Sequence, residues 1–292
     1  MVAFLIVFEY LLVIKNSLSM RTLIYLGLLT GLFLGIGYLF GGEQGLSLAL
    51  IIALVINMGS YWFSDKIVLA LYRAKEMNMA EYPAVYRIIG SLTQQAGLPM
   101  PKVYKIDMPT PNAFATGRDP GHACIGITTG ILSLLTEDEL RGVLAHELSH
   151  IKNNDILVCT MAATLAGAIS YLVHMIGFGL GRDEEGRGNP LVFLLLIIVT
   201  PLLAMLIQMA VSRTREYGAD ASGAHLLGHG HSLASALRKL GVASQMHPIQ
   251  PTGAQQATAS LFIVNPFKPS FLINLFSTHP PMEERIRRLE QM

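Results

Sequence analysis

The chain is short of charge. Of its 292 residues, 14% are Asp, Glu, Lys or Arg, where a soluble globular chain usually carries about 25%. That deficit argues against a fully hydrated domain and places much of the chain in lipid. Neither sign dominates: the formal net charge is +1, so no global field draws in acidic substrates, and nucleic acid is not an expected partner. Cysteine is nearly missing. Cys124 and Cys159 make no disulfide framework, and no CxxC or Cys/His knuckle occurs. Cys159 falls in an apolar run, where it packs as a small hydrophobe. There is no internal repeat and no low-complexity tract.

What is plentiful is apolar length. Hydrophobic residues make up 52% of the chain. Four runs without Asp, Glu, Lys or Arg occupy residues 23–40, about 46–62, 156–180 and 191–211. Each suffices to cross about 30 Å of hydrocarbon, which takes roughly 17–25 residues. The second is the shortest and carries Asn57 and Ser60. The third carries His174, and Pro201 should kink the fourth. The first two runs are joined by GGEQG, without a basic residue; the last two by GRDEEGRGNP, where three acids offset Arg182 and Arg187. On the other side stand Lys15, Arg21, Lys66, Arg73, Lys75, Lys152, Arg213 and Arg215. By the positive-inside bias that side is cytoplasmic. The expected organisation is an N-terminal extension (1–20), a transmembrane hairpin (21–63), a cytoplasmic part (64–155), a second hairpin (156–211) and a second cytoplasmic part (212–292) that packs with the first. Residues 1–14 are apolar but broken by Glu9, and they lack a signal-peptide cleavage site. Translation from Met20, just before the first run, is the expected start.

The polar segments read as mixed structure. Apolar positions at helical spacing cover residues 80–96, and Gly97 stops that helix. Short strand-like stretches follow at 103–106, 112–116 and 123–127, separated by Pro and Gly. Thr136 and Glu139 form a capping box that opens a helix over 137–153. Residues 215–227 and 232–246 read as helices, and a last helix follows Pro280 and Pro281.

The second of these helices carries HELSH at 146–150. Residues four apart share a helix face, so His146 and His150 present their imidazoles to one point, as a single Zn²⁺ requires. Glu147 stands beside them as a general base, completing HExxH. A catalytic zinc takes a third protein ligand. A metzincin continuation is excluded, because Asn153 and Ile156 occupy its glycine and histidine places. The candidates are Glu216, with Asp220 four residues on to accept from a ligand imidazole, and the histidines His225, His229 and His231.

Four elements together resemble the HtpX family of heat-shock-linked membrane proteases, related to the CAAX prenyl endopeptidases: PNAFATG at 111–117, AHELSHIKNND at 145–155, SRTREYGAD at 212–220 and STHPPMEERI at 277–286. The resemblance implies an α+β, mainly α, gluzincin fold and Glu216 as third ligand to one Zn²⁺ per chain. It also implies endopeptidase activity at the cytoplasmic face of the cell inner membrane. Misfolded or damaged membrane proteins would be the substrates, and other membrane proteases candidate partners. It suggests His279 as a donor to the oxyanion. Asn112, Ala113, Phe114 and Ala115 look like an edge strand that pairs with an extended substrate.

Chain spacing adds one expectation. HELSH ends six residues before the third run and Glu216 lies five after the fourth, which keeps both within roughly 10 Å of the bilayer. A structural zinc site would close all four positions without a Glu between the histidines. A metal transporter would carry ligands inside the spans, where His174 stands alone. A narrow prenyl-protein endopeptidase is the nearest alternative.

Overall fold

The structure, a computed structural model, describes residues 20–161, 213–246, 258, 261–264 and 280–292. The fourth apolar run, the third beyond residue 161, and His279 lie outside the described residues. The chain divides into two compact units, Met1–Tyr61 and Trp62–Met292.

In the first unit the dominant element is helix α1, Met20–Leu71, which continues into the second. It is two helices joined at Gly42, whose φ of 55° and ψ of −138° suit a residue without Cβ. Asn57 donates to the Thr30 hydroxyl at 3.0 Å, so the chain doubles back at this turn and two polar side chains meet within an apolar pair. The stretch Gly41–Leu71 has 31 residues, a mean hydropathy of 1.9 and little buried surface, enough to cross a membrane. Among the described residues it is the one such helix, where four spans were expected. It outruns the expected end near residue 62 because Val68 and Leu69 are buried in an apolar cluster with Ile106, Phe114 and Phe262.

The second unit is mainly helical around one small sheet. Its elements are β1 (Lys75–Glu76), α2 (Pro83–Ala96), β2 (Lys102–Ile106), β3 (Ala113–Gly117), β4 (Ala123–Thr128), α3 (Thr129–Leu134), α4 (Glu137–Lys152), α5 (Arg213–Leu227), α6 (His231–Met246) and α7 (Met282–Leu289). Strand order is β1-β2-β4-β3, with β2 and β4 parallel and the outer pairs antiparallel. Alternate side chains leave opposite faces of the strands. Ala113, Ala115, Ile125 and Ile127 join the main core with α2, α4 and α6. Phe114 and Cys124 join the second cluster.

Helix α4 is built by local rules. Thr136 accepts from the Glu139 amide, and the Glu139 carboxylate accepts from the Thr136 amide. Glu137, Asp138 and Glu139 put negative charge on the positive end of the helix dipole. The helix ends at Lys152, and Asn154 takes a left-handed φ of 56° before residues 155–161 turn helical again. Helix α4 packs against α2, α5, α6 and β3. Its approach to α5 is unusually close: a Cβ on Gly223 would lie 3.1 Å from the His146 amide nitrogen.

Candidate metal centre

Helix α4 presents His146 and His150 from successive turns, with Nε2 atoms 3.2 Å apart and rings edge to face at 88°. Helix α5 brings a carboxylate to the same point. Glu216 Oε1 lies 3.5 Å from His150 Nε2, and Oε2 lies 3.7 Å from His146 Nε2. All three residues offer ligand atoms within 4.8 Å of one another. Ligands about 2.0–2.2 Å from a tetrahedral zinc sit roughly 3.3–3.6 Å apart. The separations and the two-imidazole, one-carboxylate donor set therefore fit a zinc ion held by His146, His150 and Glu216. His225, His229 and His231 are exposed and do not join this group.

Each ligand imidazole has a carboxylate behind its Nδ1, the arrangement that supports a metal-binding tautomer. Asp220 Oδ1 lies 2.9 Å from His146 Nδ1, and Asp155 Oδ2 lies 3.3 Å from His150 Nδ1. Burial pushes the His150 pKa down, but Asp155, Glu216 and Glu147 outweigh it and bring it up to about 9. For His146 burial prevails and holds the pKa below its usual value. Asp220 is in turn gripped by Arg285 through Nε at 2.8 Å and Nη2 at 2.7 Å. Burial raises the Asp220 pKa, yet the Arg285 charge holds it well below the usual carboxylate range.

Glu147 is buried beside this group and lines the same cleft. Burial pushes its carboxyl up to about 7, and the opposing pull of His150 and the Ala115 backbone does not offset it. The cleft between them is apolar on its other sides, lined by Ile156, Cys159, Leu261, Phe262 and Ile263.

Strand β3 lies at the edge of the sheet, but of the four residues expected to bind substrate only Ala115 lines the cleft. Ile263 N–H donates to the Ala113 carbonyl at 3.2 Å, and the Asn112 side chain donates to the Val264 carbonyl at 2.6 Å. Phe114 is fully buried, packed edge to face on Phe262 at 5.3 Å. The chain's own residues 263–264 thus fill the outer edge at 112–113.

Asp155 and Arg285 were not singled out from sequence. Asp155 is five residues from His150, beyond a helix break, so no helical face links them. Arg285 had a signal. Met282, Ile286 and Leu289 form the apolar stripe of α7, and Arg285 lies on that stripe, four residues before the buried Leu289.

Residues 80–292 match Peptidase family M48. The chain is 52% identical over 281 residues to a protease HtpX homolog of Syntrophotalea carbinolica, covering 94% of this chain and 98% of that protein. It is 52% identical over 279 residues to a protease HtpX homolog of Syntrophobacter fumaroxidans, covering 93% and 98%. Among solved structures it is similar to S. mikatae Ste24p, with a TM-score of 0.50 and 20% identity, a likeness of fold. That alignment takes in 90% of this chain and 62% of the other. Two histidines and a glutamate that fit a zinc ion, joined to a match of this extent, place the chain in peptidase family M48 as a metalloprotease.

Proposed function

We propose that the chain is a membrane-embedded, zinc-dependent endopeptidase with one ion per chain, cutting misfolded or damaged membrane proteins at the cytoplasmic face of the inner membrane. The observation that carries the chemistry is the convergence of His146, His150 and Glu216 beside a buried Glu147. Bound Zn²⁺ supplies Lewis acidity, lowering the pKa of water toward about 7 and polarising the peptide carbonyl. Glu147 takes the proton of the attacking water and gives it to the leaving amine. Asp220 and Asp155 hold the two imidazoles in the tautomer that leaves Nε2 free for metal. His279 is the proposed donor to the developing oxyanion. An extended substrate enters along β3 at the Ala115 end, since residues 263–264 fill the edge at Asn112 and Ala113.

The membrane setting is supported by the Gly41–Leu71 helix and by the further apolar runs of the sequence. The cytoplasmic orientation rests on the basic residues that flank them. The short spacing of HELSH and Glu216 from the adjacent runs favours substrates presented near the bilayer.

The test uses protein purified metal-free in detergent, then given Zn²⁺ and casein. The wild type should cleave and Glu147→Gln should not. Equal cleavage by both would mean a contaminant and would end the proposal. Moving a scissile sequence along a juxtamembrane linker checks the setting: equal cutting at every distance would remove the proximity claim.

A further inference from the structure

Arg285 is the most buried cation of the described residues, 1% exposed, and it belongs to the last helix, far in sequence from every ligand. Nature seldom buries a guanidinium without several acceptors. Its acceptors are specific. Nε and Nη2 grip both oxygens of Asp220 at 2.8 and 2.7 Å. Nη1 donates to the Ile263 carbonyl at 3.2 Å and lies 3.7 Å from Glu216 Oε2. The Asp220 oxygen held by Nη2 is the one that lies 2.9 Å from His146 Nδ1. Holding this oxygen keeps a carboxylate against the back of the His146 ring, 2.9 Å from Nδ1 and opposite the metal-facing Nε2. The Ile263 carbonyl belongs to the segment that walls the cleft.

We propose that Arg285 is a positioning residue, setting from one buried point both the ligand geometry of His146 and Glu216 and the apolar wall formed by Leu261, Phe262 and Ile263. The proposal rests on the reading of His146, His150 and Glu216 as a zinc site. Two features make the role particular to arginine. The fork matches a carboxylate with two parallel bonds, and its third nitrogen is left to reach a carbonyl in another direction. Lysine keeps the charge, but its three donors radiate from one nitrogen, so it cannot meet both Asp220 oxygens in parallel and reach the Ile263 carbonyl as well. Arg285 touches neither metal nor substrate, so it acts through Asp220, Glu216 and Ile263.

The experiment compares the full-length protein in detergent with Arg285→Lys and Arg285→Met. Zinc affinity is read by chelator competition, and peptide cleavage is read at saturating zinc. Lys239→Met serves as a control: it removes the partner of a buried carboxylate at the other end of α4 and lowers the melting temperature without touching the ligands. Arg285→Lys should bind zinc about 10–100-fold more weakly than wild type, the range for lost support behind a metal ligand, and Lys239→Met should bind it as wild type does. At saturating zinc, kcat of Arg285→Lys should return toward wild type while KM for a peptide with apolar residues beside the scissile bond stays raised. Wild-type zinc affinity in Arg285→Lys would overturn the proposal. An unchanged KM would remove the cleft wall from it. Failure of both Arg285 variants to fold would assign the residue to stability alone and equally overturn it. A wild-type protein that takes up no zinc would instead sink the metal-site reading, so the two failures are distinguishable.

Discussion

The two ends of helix α4 bury a carboxylate each and treat it in opposite ways. At the N-terminal end, burial pushes the Glu139 carboxyl up, but hydrogen bonds from Lys239, the Thr136 backbone and Ser235 prevail and bring it down to about 2. The Lys239 and Ser235 contacts are both 2.7 Å. At the C-terminal end, burial dominates Glu147 and pushes it up to about 7, and the opposing pull of His150 and the Ala115 backbone does not offset it. Both side chains are shielded from water at their surface, but Glu147 lies deeper in the protein and has fewer donors, and the two differences act together. An acid surrounded by donors is locked as an anion and serves the fold. An acid with few donors facing a cleft keeps a proton exchangeable, and that is what a general base requires.

The comparison can be broken most easily at Glu147. Glu147→Gln should lower kcat by about 10²–10⁴-fold, the usual share of general acid–base catalysis. Zinc content, measured by elemental analysis, should stay at the wild-type level. Loss of the ion with the activity would show that Glu147 acts through the metal site instead. The next effect is at Asp155, which holds His150. Asp155→Asn should weaken zinc binding about 10–100-fold in a chelator titration, and excess zinc should restore most of the cleavage. At the other end of the helix, Lys239→Met should destabilise the protein by about 1–2 kcal/mol, the cost of removing one charged hydrogen-bond partner from a half-exposed pair. Thermal melting reads this directly, and metal affinity should not move.

The smallest effect sharpens the contrast through pH. The Glu139 pKa is depressed from an ordinary 4.5 to about 2. Its contribution to stability is therefore complete above about pH 4.5 and fades as pH falls toward 2. In Glu139→Gln that part of the acid slope should vanish, leaving a lower but flatter melting curve across the window. An unchanged slope would mean that other carboxylates carry the acid sensitivity.

The parts of this chain that were legible in sequence are those decided over a few residues. The capping box of Thr136 and Glu139, the shared face of His146 and His150, and the pairing of Glu216 with Asp220 are all spacings within one helix. Strands β2, β3 and β4 were placed to within a residue or two, because Pro and Gly bound them. What was not legible depends on distant chain. Arg285 reaches Asp220 across 65 residues, and residues 263–264 cover the β3 edge from 152 residues away at the Asn112–Val264 bond. Local pattern carries no trace of such closures. Strand β1 has two residues and no periodicity to detect. Asp155 was hidden by the left-handed turn at Asn154, which changes direction between a ligand and its support.

The close contact of Gly223 with the backbone at His146 has a consequence for tolerance to change. The span between the helix that carries two nitrogens and the helix that carries the oxygen is set by main chain resting on main chain. The atoms nearest that point are all backbone, of Ala145 and His146. Remote repacking of the core therefore has little leverage over the bite of the ligand set, whereas one added methyl at Gly223 would press on the main chain of Ala145 and His146, which must give by a few tenths of an ångström next to a ligand residue.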